Sequence, residues 1–95
     1  MKPSELLKRG RCQRAYARNE RGETTDYNGP YARSWCLSGA IAACHEPDGY
    51  RDLAYKKVVL HFCGLASFND APERTQAEVV DLAESVEREL VKGTE

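Results

Sequence analysis

Ninety-five residues, 41% hydrophobic and 31% charged, suffice for one domain with a single core and carry too much apolar material for a disordered tail. A net charge of −1 leaves the chain as a whole neither a polyanion nor a polycation. No stretch approaches the roughly 18 apolar residues of a membrane span, and residues 1–10 lack the apolar run of a signal peptide, so the expectation is a cytoplasmic protein without membrane contact.

Taken in chain order, Pro3-Ser4-Glu5-Leu6-Leu7-Lys8-Arg9-Gly10 predicts a short helix over 4–9, with Ser4 as its N-cap and Gly10 as a left-handed stop. Two turns are unstable alone, so Leu6 and Leu7 are expected to dock on the core. Residues 12–25 alternate small or aromatic side chains with long polar ones around the turn residues Asn19-Glu20-Arg21-Gly22, which fits a short irregular hairpin or a loop. Pro30 suits the first position of a helix, and Tyr31, Trp35, Leu37, Ser38, Ala40, Ile41 and Cys44 lie at helical spacing, so the central helix is expected over 30–45. Gly39 in its interior costs about 1 kcal/mol relative to alanine and is expected to be compensated by close packing of a neighbouring backbone.

Pro47 and Gly49 end that helix, and Tyr50, Leu53, Ala54, Lys57, Val58, His61 and Phe62 predict another over 50–63, although Val58-Val59-Leu60 also suits a strand. Residues 65–72 read as a connection. Thr75-Gln76-Ala77-Glu78 matches a capping box and opens an amphipathic helix over 75–91, with Val79, Leu82, Ala83, Val86 and Leu90 on its apolar stripe. The expected fold is therefore mainly α: one domain over 1–95, a small compact bundle of three to four helices with a short irregular β-hairpin near the N-terminus. Trp35, Leu37, Ile41, Val58, Phe62, Val79, Leu82 and Val86 are expected to share the core.

The charge is unevenly spread. Residues 1–33 hold eight Lys or Arg against four Asp or Glu, whereas residues 70–95 hold three basic against eight acidic residues. Two readings are open: the basic front pairs with the acidic last helix, or it forms a patch for a polyanionic partner.

Gly10-Arg11-Cys12-Gln13, Ala15-Tyr16-Ala17-Arg18, Gly22, Trp35-Cys36-Leu37-Ser38-Gly39-Ala40-Ile41, Phe68-Asn69-Asp70-Ala71-Pro72 and Arg74-Thr75 with Glu78-Val79-Val80 carry a resemblance. The chain resembles an uncharacterised bacterial and phage family of unknown function. Its pattern runs glycine-tryptophan-x-glutamine-glycine-alanine, then a cysteine-x-x-glycine-alanine helix, then tryptophan-asparagine-aspartate before an arginine-threonine capped helix. Arg11 and Phe68 stand where that pattern has tryptophan, which implies a smaller core there. The resemblance implies a fold and an origin in bacteria or their phages, and no activity.

Cys36, Cys44, His45, His61 and Cys63 are metal-ligand types, but their spacing matches no familiar zinc module, so neither a metal nor another cofactor is expected. The cysteines, Cys12 included, are expected to be reduced, and Cys36, Cys44 and Cys63 to be small buried hydrophobes. Lys8, Arg9, Arg11, Arg14, Arg18, Arg21 and Arg33, with Tyr16, Tyr27 and Tyr31 nearby, suit phosphate contacts and base stacking. Asn69, Asp70 and Arg74 form the densest polar group; their plain role is to fix the loop before the last helix. The leading expectation is a non-enzymatic accessory or inhibitory module with a protein partner, the candidate binding residues being Arg11, Arg14, Tyr16, Arg18, Asn69, Asp70 and Arg74. Nucleic-acid association is the alternative, and a small enzyme using Asp70, Arg74 and His61 is the third.

Overall fold

The computed structural model describes residues 2–45, 47–59 and 64–93. These form five helices and a two-stranded antiparallel sheet, so the protein is mainly α with a short hairpin near its N-terminus. Helix α1 spans Pro3–Arg9, with Pro3 at the first helical position, where its missing N–H has no partner to lose. Ser4 does not cap this helix. It lies inside the first turn, where its amide and hydroxyl donate to the Glu87 carboxylate at 3.0 and 2.6 Å. Gly10 is extended at φ 176° rather than left-handed. Glycine is needed there because a Cβ would stand 2.6 Å from the Arg33 carbonyl oxygen.

Strand β1 (Ala17–Arg18) pairs with β2 (Ser34–Trp35), Ala17 opposite Trp35 and Arg18 opposite Ser34. Over 12–25, where a hairpin or a loop was expected, the chain is mostly loop with a single Arg18–Thr24 bridge, and the antiparallel pairing is made with a more distant segment. Trp35 explains the distant pairing. Its amide donates to the Gly10 carbonyl at 3.0 Å, its carbonyl accepts from the Cys12 amide at 3.1 Å, and its indole N–H donates to the Tyr27 carbonyl at 3.0 Å. This ladder, with the ring buried, outweighs the local helical pattern.

The helix expected over 30–45 accordingly shrinks to α2, Leu37–Ala43, and Pro30 sits in a turn before β2. Cys36 begins α2, its Sγ accepting the Gly39 amide at 3.2 Å, and left-handed His45 (φ 63°) follows its end. Close packing at Gly39 is observed: a Cβ there would overlap the Tyr16 carbonyl group. With Leu37, Ala40 and Ile41 fully buried, α2 is the heart of the core.

Helix α3 (Tyr50–Val58) starts after left-handed Gly49, and residues 60–63 of the expected 50–63 helix, with His61, Phe62 and Cys63, lie outside the described residues. Helix α4 (Leu65–Asp70) replaces the expected connection, because Leu65, Phe68 and Asn69 fall on one buried face at helical spacing. Helix α5 runs over Gln76–Gly93, slightly longer than 75–91. Its capping box forms: the Glu78 amide donates to Thr75 Oγ1 at 3.2 Å and the Thr75 amide to Glu78 Oε1 at 2.9 Å. Leu6, Leu7, Trp35, Leu37, Ile41, Val58, Val79 and Val86 share one core, against which Leu82 packs only partly buried.

Candidate functional site

A cleft of about 360 Å³ opens where the loop 14–16 faces α4 across the start of α2. Arg14, Ala15 and Tyr16 form one wall, Cys36 and Ser38 the floor, and Ala66 and Asp70 the other wall. Gly39 lets the Tyr16 backbone settle against α2. Asn69, fully buried, then locks α4 to both partners: its Oδ1 accepts the Leu37 amide at 3.2 Å and its Nδ2 donates to the Cys12 carbonyl at 2.9 Å. Gln13 adds two bonds from Nε2, to the Asn69 and Ala71 carbonyls at 3.0 and 3.1 Å.

The polar groups bordering this opening differ in how far they are engaged. Asp70 Oδ1 accepts the Arg14 amide at 3.0 Å and Asn69 Nδ2 at 2.9 Å. That amide bond holds Arg14 in the left-handed region at φ 65°, which costs a residue with a Cβ about 1 kcal/mol or more. Among the described residues, the Arg14 guanidinium itself has no hydrogen bond or ion pair. Tyr16 is 61% exposed, supported by an edge-on contact with Tyr27 at 6.1 Å between ring centres.

Of the residues singled out from the sequence, Arg14, Tyr16 and Asp70 meet at the cleft, and the others serve the fold. Arg11 donates to the Asn69 and Arg74 carbonyls, both at 2.8 Å, so at the position where the resemblance implied a smaller core a guanidinium ties down the α4–α5 connection. Arg18 donates to the Gly22 and Gln13 carbonyls at 2.8 and 3.1 Å. The Arg74 guanidinium stacks 4.0 Å from the centre of the Phe68 ring and pairs with Glu78 at 3.0 Å. Among the described residues, neither Arg14 nor Arg18 pairs with the last helix. The front reaches α5 through Lys8 with Glu84 (3.0 Å), Gln76 with the Leu7 carbonyl (2.6 Å) and Ser4 with Glu87. His61 lies outside the described residues. Gln13 stood in the motif that carried the resemblance but was given no role, and the Tyr50–Glu87 pair escaped the sequence reading, since no local pattern betrays its distant partners.

Cys12, Cys36 and Cys44 are free thiols, and burial pushes all three above the ordinary cysteine value. At Cys36 the Gly39 amide opposes burial without cancelling it, so the cleft floor presents a neutral thiol. Among the described residues, no three His, Cys, Asp or Glu side chains are grouped to hold a metal ion.

No curated protein and no solved structure matches the chain. A family model described as a family of unknown function (DUF6197) matches residues 4–89, which include every element but the first residue of α1 and the end of α5, and the chain therefore belongs to that family.

Proposed function

We propose that the chain is a non-enzymatic protein-binding module that holds its partner at the cleft between residues 14–16 and α4. The observation that carries this reading is the pairing, at one opening, of the unengaged Arg14 guanidinium and the Asp70 carboxylate with the exposed Tyr16 ring. A cation and an anion side by side suit the mixed polarity of a polypeptide and work against a polyphosphate. Tyrosine and arginine are also the side chains that most often dominate protein interfaces. At about 360 Å³ the cleft lies near the lower end of small-molecule sites and fits one side chain with its flanking backbone.

The wider form of the reading is an accessory or inhibitory factor of bacterial or phage origin working in the cytoplasm. Its support is the motif resemblance together with the free thiols, which suit a reducing compartment. The nucleic-acid alternative has less support, because four of its seven cations are engaged: Arg11, Arg18 and Arg33 bond backbone carbonyls and Lys8 pairs with Glu84.

The test is parallel affinity capture with the wild type and an Arg14→Ala, Tyr16→Ala double variant. A protein retained in stoichiometric amount by the wild type and lost from the variant is the expected result. Equal retention by both, or salt-sensitive binding of oligonucleotides by the wild type alone, contradicts it.

A further inference from the structure

The cleft does not end at α4. A second hollow of about 320 Å³ adjoins it, and Ser38 and Ala66 line both. The far side of the second hollow is built from Arg51, Asp52 and Tyr55 of α3 and Leu65 of α4. Arg51 reaches back to the shared floor, with its guanidinium 3.4 Å from Ser38 Oγ. Tyr55 is 44% exposed, while Leu65 is buried at 6% and offers only its edge, so this hollow pairs an aromatic face with aliphatic surface. The two hollows thus form one furrow across the α2–α4 face, each bordered by one arginine and one aspartate, with the Arg14 guanidinium unengaged at one end and Arg51 bonded to Ser38 beside the exposed Tyr55 ring at the other.

We infer that this furrow takes an extended peptide segment of the partner, an internal acidic side chain entering the first hollow against Arg14 and an apolar side chain two residues away entering the second against Tyr55 and Leu65. The inference rests on the protein-binding reading of the cleft and adds the chemistry of what is bound. Charge complementarity selects the acidic residue, since the Arg14 guanidinium lining the first hollow has no partner among the described residues, whereas Asp70 beside it already accepts the Arg14 amide and the Asn69 side chain. Asp70 keeps one carboxylate oxygen to accept a peptide N–H, which an extended backbone offers and a helical one does not. In an extended chain, alternate side chains project to the same side about 7 Å apart, so adjoining hollows accept residues at that spacing while the one between faces solvent.

The experiment selects binders from a synthetic library of randomised linear heptapeptides with acetylated and amidated ends. Affinities are then measured by fluorescence polarisation for the wild type, Arg14→Ala, Tyr55→Ala and Tyr31→Ala. Tyr31 is exposed and lines neither hollow, so it serves as the control. Expected are peptides with an acidic residue two positions from an aliphatic or aromatic one, weakened about tenfold or more by Arg14→Ala and by Tyr55→Ala and unchanged by Tyr31→Ala. Binding that depends on Arg14 and ignores Tyr55 overturns the two-hollow inference while leaving the protein-binding cleft in place. Binders recovered only from a library with free C-termini overturn the internal acidic residue. No peptide retained from either library, or affinities indifferent to Arg14, overturns the inference and the reading beneath it. Unchanged thermal midpoints of the variants establish that they are folded.

Discussion

Glu87 and Asp70 are both carboxylates that receive hydrogen bonds from another segment and border a hollow, but they differ in what donates to them and in the charge beside them. Glu87 sits where α1, α3 and α5 converge: it accepts the Ser4 amide and hydroxyl and the Tyr50 hydroxyl, the last at 2.7 Å, and both donor residues are buried. Asp70 accepts the Arg14 amide and the Asn69 side chain beside an open cleft, next to a guanidinium that nothing among the described residues engages. The first arrangement spends the carboxylate on buried donors from two other helices and stabilises the fold. The second leaves strain and a free charge at the surface, which is how recognition sites are commonly built. The two regions should therefore separate experimentally, one governing stability and the other binding.

The largest effect is expected at the Glu87 seam. Glu87→Ala leaves the Ser4 amide and hydroxyl without their acceptor and should lower unfolding free energy by about 3 kcal/mol, with peptide affinity unchanged at temperatures where the variant is folded. Chemical denaturation alongside the binding assay checks both halves. Gly39→Ala should join the two regions, because the new methyl group drives the Tyr16 backbone away from α2. A loss of about 2 kcal/mol together with loss of binding is expected.

A smaller effect separates the seam by pH. Burial, the hydrogen bond to Glu87 and the Glu87 charge hold the Tyr50 hydroxyl well above the ordinary tyrosine range. A raised folded value means that this contribution is complete below the unfolded value of about 10 and is lost as the pH rises beyond it. The buried thiols act in the same direction from about pH 9. Tyr50→Phe should cost about 1 kcal/mol at pH 7 and should lose less of its remaining stability than the wild type between pH 9 and 11, as followed by denaturation at each pH.

The same contrast governs what the sequence disclosed. The last helix was legible because its capping box and apolar stripe are local, each a matter of residues three or four apart. The start of α2 was not, because Trp35 is claimed by Gly10, Cys12 and Tyr27, partners that no local window contains. Helix α4 was missed for a related reason: at six residues it has too few apolar positions to establish a period, and burial against the rest of the fold decides it. At the site, Arg14, Tyr16 and Asp70 stood out by residue type. Composition does not distinguish the free guanidinium of Arg14 from those of Arg11 and Arg18, which are consumed by carbonyls, because only the folded loop determines which charge is left over.

Arg14 is therefore the residue at which the account is most exposed, and its left-handed backbone makes the test direct. Arg14→Gly relieves the strain at φ 65° and keeps the amide bond to Asp70, while removing the guanidinium from the cleft. His45→Gly relieves a similar conformation at φ 63° after α2, outside the residues lining the cleft. Equilibrium unfolding and peptide affinity measured together on the two variants should give a gain of up to about 1 kcal/mol for each, with affinity falling about tenfold or more in Arg14→Gly alone. A loss of stability in Arg14→Gly, or peptide binding that survives it unchanged, would contradict the claim that Arg14 is held in strain to present a charge to the partner.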